Sequence, residues 1–128
     1  MVLNLADTRR PATILIENAG PGMNLLQDLQ RDMPAGLARP IGFAPEGSKV
    51  DRMAAQSAKI EAGQVHLRKN ASWLDDFLHE LLAFPNGRHD DQVDSVSQFL
   101  TWWQNVWSRT QMTHHEPFIA SRPRLYIG

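Results

Sequence analysis

The chain of 128 residues contains no cysteine. Disulfides, thiolate-bound metals and cysteine nucleophiles are therefore excluded, and the composition is compatible with a reducing compartment. Charge of one sign is also lacking. Thirteen Lys and Arg against fourteen Asp and Glu leave a net charge of −1. Contact with nucleic acid would have to rest on a local basic patch, not on bulk attraction. No apolar run approaches the roughly 18 residues of a membrane-spanning helix. The opening "MVLNLADTRRPA" lacks the apolar core of a signal peptide. No GxxxxGK[ST] phosphate loop occurs. What remains is a chain with 42% apolar residues, enough for one globular domain with a real core. A soluble intracellular protein is the expectation.

The pattern then alternates. "TILIE" (13–17) is a β-branched apolar run that suits a strand buried on both faces. Gly20-Pro21-Gly22 turns the chain into a helix with Met23, Leu26, Leu29 and Met33 at helical spacing. Pro40 to Ala44 can form a second short strand. Residues 48–63 read as a helix capped by Ser48, with Asp51 in capping-box position and Gly63 as its stop. "QVHLR" (64–68) alternates like a strand. "SWLDDFLHELLAF" (72–84) is an amphipathic helix with Ser72 at its cap, and the last helix runs from about Asp90 to Ser108. The tail after it reads as irregular or extended, and its segment "ASRPRLYIG" can pair with a sheet edge or bind a partner. The order predicts an α/β domain with a largely parallel sheet flanked by helices.

The last helix carries the main chemical signal. Val93, Val96, Leu100, Trp103 and Trp107 share one face, widened by Phe99, Trp102 and Val106. Asp90, Asp91 and Asp94 occupy the other arc at its start. One acid there is ordinary capping and dipole chemistry. Three go further, because the i,i+4 pair repels. Capping and a divalent-metal site both remain readings of this cluster. A fourth acid, Glu17, ends the first apolar run, and in open parallel sheets functional groups gather at the carboxyl ends of strands. Were Glu17 and Asp91 to meet within about 8 Å, they would offer oxygen ligands suited to Mg²⁺ or Mn²⁺. Two such ions can activate a water and stabilise a leaving oxygen. Lys49 and Arg52, one turn apart, are candidate phosphate contacts or a solvated helix start. Arg88 and His89, beside the acids, are candidates for orienting phosphate or for turn chemistry. His114-His115 could pair on a metal, but adjacent residues on a tail rarely converge. His66 and His79 read as structural or solvated, and the tryptophans as mainly core.

Three stretches carry a family likeness: "ILIENAGPGMNLLQDL", "GSKVDRMAAQSAKIEAGQVHL" and "WLDDFLHELLAFPNGRHDDQVDSVSQFL". They resemble the C-terminal nuclease domain of tailed-phage terminase large subunits over about residues 12–103. The resemblance implies an RNase H-like fold, here truncated. It also implies a two-metal endonuclease that cuts concatemeric viral DNA during packaging. Its expected cofactor is Mg²⁺ or Mn²⁺, its substrate double-stranded DNA, and its place the cytoplasm of a bacterial host. Other terminase or portal components are expected partners. The family's later-strand acid falls on Glu17 and its helix acids on Asp90 and Asp91, with Asp91 the expected direct ligand. Asp94 completes a DDxxD pattern, as an outer ligand or a surface acid.

The family's first catalytic Asp lies on a strand of a meander that precedes the "LIE" strand. Neither that strand nor the ATPase motor has a counterpart here, and Asp7 in "LADTRRP" is no substitute. The expectation is thus a partial nuclease domain over 1–108 with a tail over 109–128. Whether it is an enzyme alone stays open. The alternative is a prophage remnant or accessory module that oligomerises, or binds a phage protein, without cleaving DNA. Missing strands leave a sheet edge that invites self-association. Sedimentation velocity should therefore show a dimer or larger species, and a monomer at all concentrations would refute that expectation.

Overall fold

The computed structural model describes residues 2–113 and 125–127. The chain divides into two compact units, Met1–Glu46 and Gly47–Gly128. The first contains α1 (Val2–Arg9), β1 (Ile14–Glu17), α2 (Pro21–Asp32) and β2 (Pro40–Phe43). The helix α1 was not expected. Residues 1–9 hold no Gly or Pro to break it, and the short apolar spacing buries only Ala6. Its last turn continues into Arg10, whose guanidinium returns to the Asp7 carboxylate at 2.9 Å.

Strands β1 and β2 pair in parallel, with Ile14 opposite Pro40 and Glu17 opposite Phe43. Asn18 N–H donates to the Phe43 carbonyl at 2.7 Å and extends the ladder by one bond. The turn into α2 is tight. Pro21 stands in the first turn, where its missing N–H costs nothing. A Cβ on Gly22 would lie 2.1 Å from the Glu17 carbonyl oxygen, so the backbone of α2 rests directly on the end of β1. Leu26, Leu29 and Met33 are buried as the helical spacing predicted, whereas Met23 is exposed.

The second unit contains α3 (Lys49–Glu61), β3 (Val65–Leu67), α4 (Leu74–Ala83), α5 (Asp91–Thr113) and β4 (Leu125–Ile127). Ser48 caps α3 as expected: its hydroxyl accepts from Asp51 N–H at 3.1 Å and donates to the Asp51 carboxylate at 2.6 Å. Gly63, at φ +67°, takes the left-handed turn beyond the helix end. Ser72 does not cap α4. Leu74 N–H bonds back to the Ala71 carbonyl, so residues 71–74 form a turn and the helix starts later, with Trp73 at the cap position and no side-chain cap. Helix α5 runs to Thr113, past the expected end at Ser108, because nothing between them breaks a helix.

Within the expected tail, β4 pairs in parallel with β3, Val65 opposite Leu125 and Leu67 opposite Ile127. The paired residues belong to "ASRPRLYIG". His114 and His115 lie outside the described residues. The strands are parallel, as expected, and among the described residues they pair as two two-stranded ladders, one in each unit. Among the described residues of this unit, Phe77, Val93 and Leu100 are the buried apolar ones. Met53, Val65, Leu67, Phe77, Val93 and Val96 surround an apolar cavity of about 60 Å³. No helix among the described residues is long and apolar enough to cross a membrane.

Gly22→Ala should destabilise the first unit by about 1–3 kcal/mol, because the new methyl meets backbone, not a flexible side chain. Urea unfolding followed by circular dichroism checks this; a loss below about 0.5 kcal/mol would mean that the turn relaxes freely.

Candidate functional site

The acidic start of α5 is held from outside the cluster. Glu80, buried on α4, directs its Oε1 at the first turn of α5 and accepts from Gln92 N–H at 2.7 Å and Val93 N–H at 3.0 Å. Its Oε2 accepts from the Gln92 side-chain amide at 3.0 Å. A carboxylate on exposed helix N–H groups both fills them and complements the dipole. The capping role that the sequence offered to the aspartates is thus performed by Glu80. Asp90 contributes its carbonyl, which accepts from Asp94 N–H at 2.9 Å.

The aspartates meet α3 instead. Lys49, Arg52, Gln56 and Lys59 recur along α3 at steps of three and four. Asp90, just before α5, and Asp94, Ser97, Thr101 and Gln104 on it recur the same way. The two polar stripes face each other. Lys49 Nζ lies 2.8 Å from Asp90 Oδ1 and 3.9 Å from Asp94 Oδ2. Arg52 Nη2 donates to Asp94 Oδ1 at 2.5 Å, and its Nη1 donates to the Gly47 carbonyl at 2.7 Å. Gln98 Nε2 donates to Asp94 Oδ2 at 3.2 Å. Ser97 Oγ donates to the Asp94 carbonyl at 2.8 Å. Further along, Gln56 Nε2 donates to Thr101 Oγ1 at 3.1 Å, and Lys59 Nζ reaches the amide oxygens of Gln56 and Gln104.

Burial separates the three aspartates. The Asp94 side chain is 8% exposed and that of its partner Arg52 10%. Asp94 is therefore not the surface acid that the sequence allowed for. Asp90 and Lys49 are part-exposed, at 37% and 42%. Asp91 is exposed, and its carboxylate makes no hydrogen bond among the described residues. The hydrogen bond to Asp90 holds the Lys49 ammonium above the ordinary lysine range; burial opposes this, and the charges of Asp90, Asp94 and Asp91 add to it. Among the described residues Lys59 has only amide acceptors, and burial pulls its ammonium below that range.

The other expected residues are placed as follows. Glu17 is exposed at the end of β1, in the first unit. Arg88 and His89 are exposed in the loop before α5 and, with Asp76, His79 and Glu80, line a cleft of about 320 Å³. Among the described residues no three His, Cys, Asp or Glu side chains form a ready-made metal cage. Glu80 escaped the sequence reading. The clue was a carboxylate three residues after Phe77 and one before Leu81, on the apolar side of α4.

Asp94→Ala should cost about 3–5 kcal/mol, because Arg52 would keep its charge in a buried place without a partner. Asp91→Ala should stay within about 0.5 kcal/mol. Urea denaturation of the two variants checks the contrast, and equal costs would show that the Arg52–Asp94 pair does not hold the helices.

Comparison with curated proteins and with solved structures gave no significant match. Among protein families, one described as the terminase RNaseH-like domain matches residues 1–101. The matched span takes in Glu17 on β1, Lys49 and Arg52 on α3, Glu80 on α4 and the acidic start of α5. On that match, which covers most of its length, the chain belongs to the terminase RNaseH-like domain family.

Proposed function

We propose that this chain is a nuclease-type module of a phage terminase large subunit, acting on double-stranded DNA with Mg²⁺ or Mn²⁺ during genome packaging. The observation that carries this reading is the start of α5. There Asp91 is exposed and Asp90, paired with Lys49, is part-exposed, while Glu80, not they, accepts from the Gln92 and Val93 N–H groups. The donor chemistry fits a hard divalent ion, which commonly takes one or two carboxylates and completes its shell with water and substrate phosphates. When bound, such ions activate a water and stabilise the leaving oxygen of a phosphodiester.

The chain's own residues take three tasks in this reading. Asp90 and Asp91 bind the metal. Asp94, whose oxygens already face Arg52 and Gln98, fixes the register of α5 against α3 instead of binding metal. Lys49, Arg88 and His89 contact phosphates. Arg52, committed to Asp94 and Gly47, acts on DNA only by holding the acids in place. Other terminase or portal components, and further copies of the chain, are the proposed protein partners.

A second reading is favoured by the same seam. Two of the three aspartates are already neutralised by internal cations, and among the described residues no three His, Cys, Asp or Glu side chains are grouped so as to hold a metal ion. On that reading the module folds and assembles without cutting. Incubation of supercoiled plasmid with Mn²⁺ separates the two. Cleavage by the wild type that falls at least about tenfold in Asp91→Ala supports the nuclease. Equal cleavage by both proteins, or none by either, leaves the non-cleaving module.

A further inference from the structure

Resting on the reading of Asp90 and Asp91 as metal ligands, we propose that Lys49 is an exchangeable cation. It holds Asp90 until a divalent ion arrives and then passes to a DNA phosphate.

The two basic residues at the head of the α3–α5 seam are built differently. Arg52 is 10% exposed and clamped at both terminal nitrogens, by Asp94 and by the Gly47 carbonyl. Lys49 is 42% exposed, stands at the first residue of α3 and has one close partner, Asp90 Oδ1 at 2.8 Å. Its long flexible stem can swing; the planar fork of Arg52 cannot without leaving Asp94 unpaired.

A divalent ion that takes Asp90 Oδ1, the oxygen Lys49 now holds, would sit about 2.1 Å from it, and so within about 5 Å of the ammonium in its present place. Both cations cannot keep that position. Among the described residues Lys49 has no equivalent acid to move to. Asp94 Oδ1 is taken by Arg52 and Oδ2 by Gln98. Asp51 accepts from Ser48 and, two residues along the helix, faces away. Asp91 is itself a ligand in this reading. The remaining anion is the phosphate that the metal brings with it. Before metal binds, Lys49 balances the acids and keeps their repulsion from opening the helix start. Afterwards it becomes a positive group at the edge of the site.

Removing Lys49 should therefore move two affinities in opposite directions, which a merely structural residue would not do. In Lys49→Met, Mn²⁺ measured by the electron paramagnetic resonance of the free ion should bind about tenfold tighter than in the wild type. Duplex DNA in Ca²⁺, measured by fluorescence anisotropy, should bind more weakly, with a salt dependence shallower by about one counterion. In the wild type, the ¹⁵Nζ resonance of Lys49 should shift on addition of Mg²⁺; this readout needs no variant to fold. Unchanged or weaker Mn²⁺ binding in Lys49→Met, undiminished DNA binding, or an unmoved Lys49 resonance would each overturn the exchange, provided that wild-type Mn²⁺ binding is lost in Asp91→Ala. If the wild type binds no Mn²⁺ through Asp91, the nuclease reading falls and the exchange falls with it.

Discussion

The second unit depends on one buried contact, the ion pair between Arg52 on α3 and Asp94 on α5. Taking two charges out of water is costly, and a buried pair adds little net stability over a well-packed apolar one. Its effect is on specificity. Either partner alone would be a buried, uncompensated charge, so any register of α3 on α5 that separates them is disfavoured. The register that pairs them brings Gln56 to Thr101 and Lys59 to Gln104 further along the seam. It also sets Lys49 beside Asp90 at the open end. Glu80 then fixes the same helix from α4, by its first N–H groups. Helix α5 is thus held on two sides at the point where its acids emerge.

Three adjacent acids consequently have three different environments. Asp94 is internal and neutralised, Asp90 is shared between a lysine and solvent, and Asp91 is exposed. Their mutual repulsion, which sequence spacing makes look unfavourable, is offset by two cations arriving from a helix more than forty positions earlier. A cluster that looks like a single acidic surface is a graded series. Only its outer members are open to something from outside.

Much of the order of elements was legible, for local reasons. The strand ending at Glu17, the helix capped by Ser48 and stopped by Gly63, and the short strand at Val65–Leu67 are each written in residues that decide their own neighbourhood. The location of the acids was legible too. Their partners were not. Two polar stripes on two helices look, one at a time, like two solvated faces, and only their meeting turns Asp94 inward. Glu80 was hidden by the opposite effect, a polar residue on an apolar face that reads as a flaw in the pattern until α5 supplies the N–H groups it satisfies. Helix α1 was missed because its apolar spacing is too short to show a period. The joining of β4 to β3 depends on residues some sixty positions apart, and neither strand alone specifies it.

The aromatic residues of α5 have a separate consequence. Phe99, Trp102 and Trp103 lie with ring centroids 6.1 to 6.5 Å apart on the half-buried side of the helix. Trp107 follows one turn later, and the only other tryptophan, Trp73, packs edge-on against Phe77. All four indoles therefore belong to the second unit, and the first has none. The intrinsic emission of this protein is a spectroscopic signal of one half of the chain. A melt followed by fluorescence watches the unit that carries Asp90 and Asp91, while the unit that carries Glu17 unfolds in the dark.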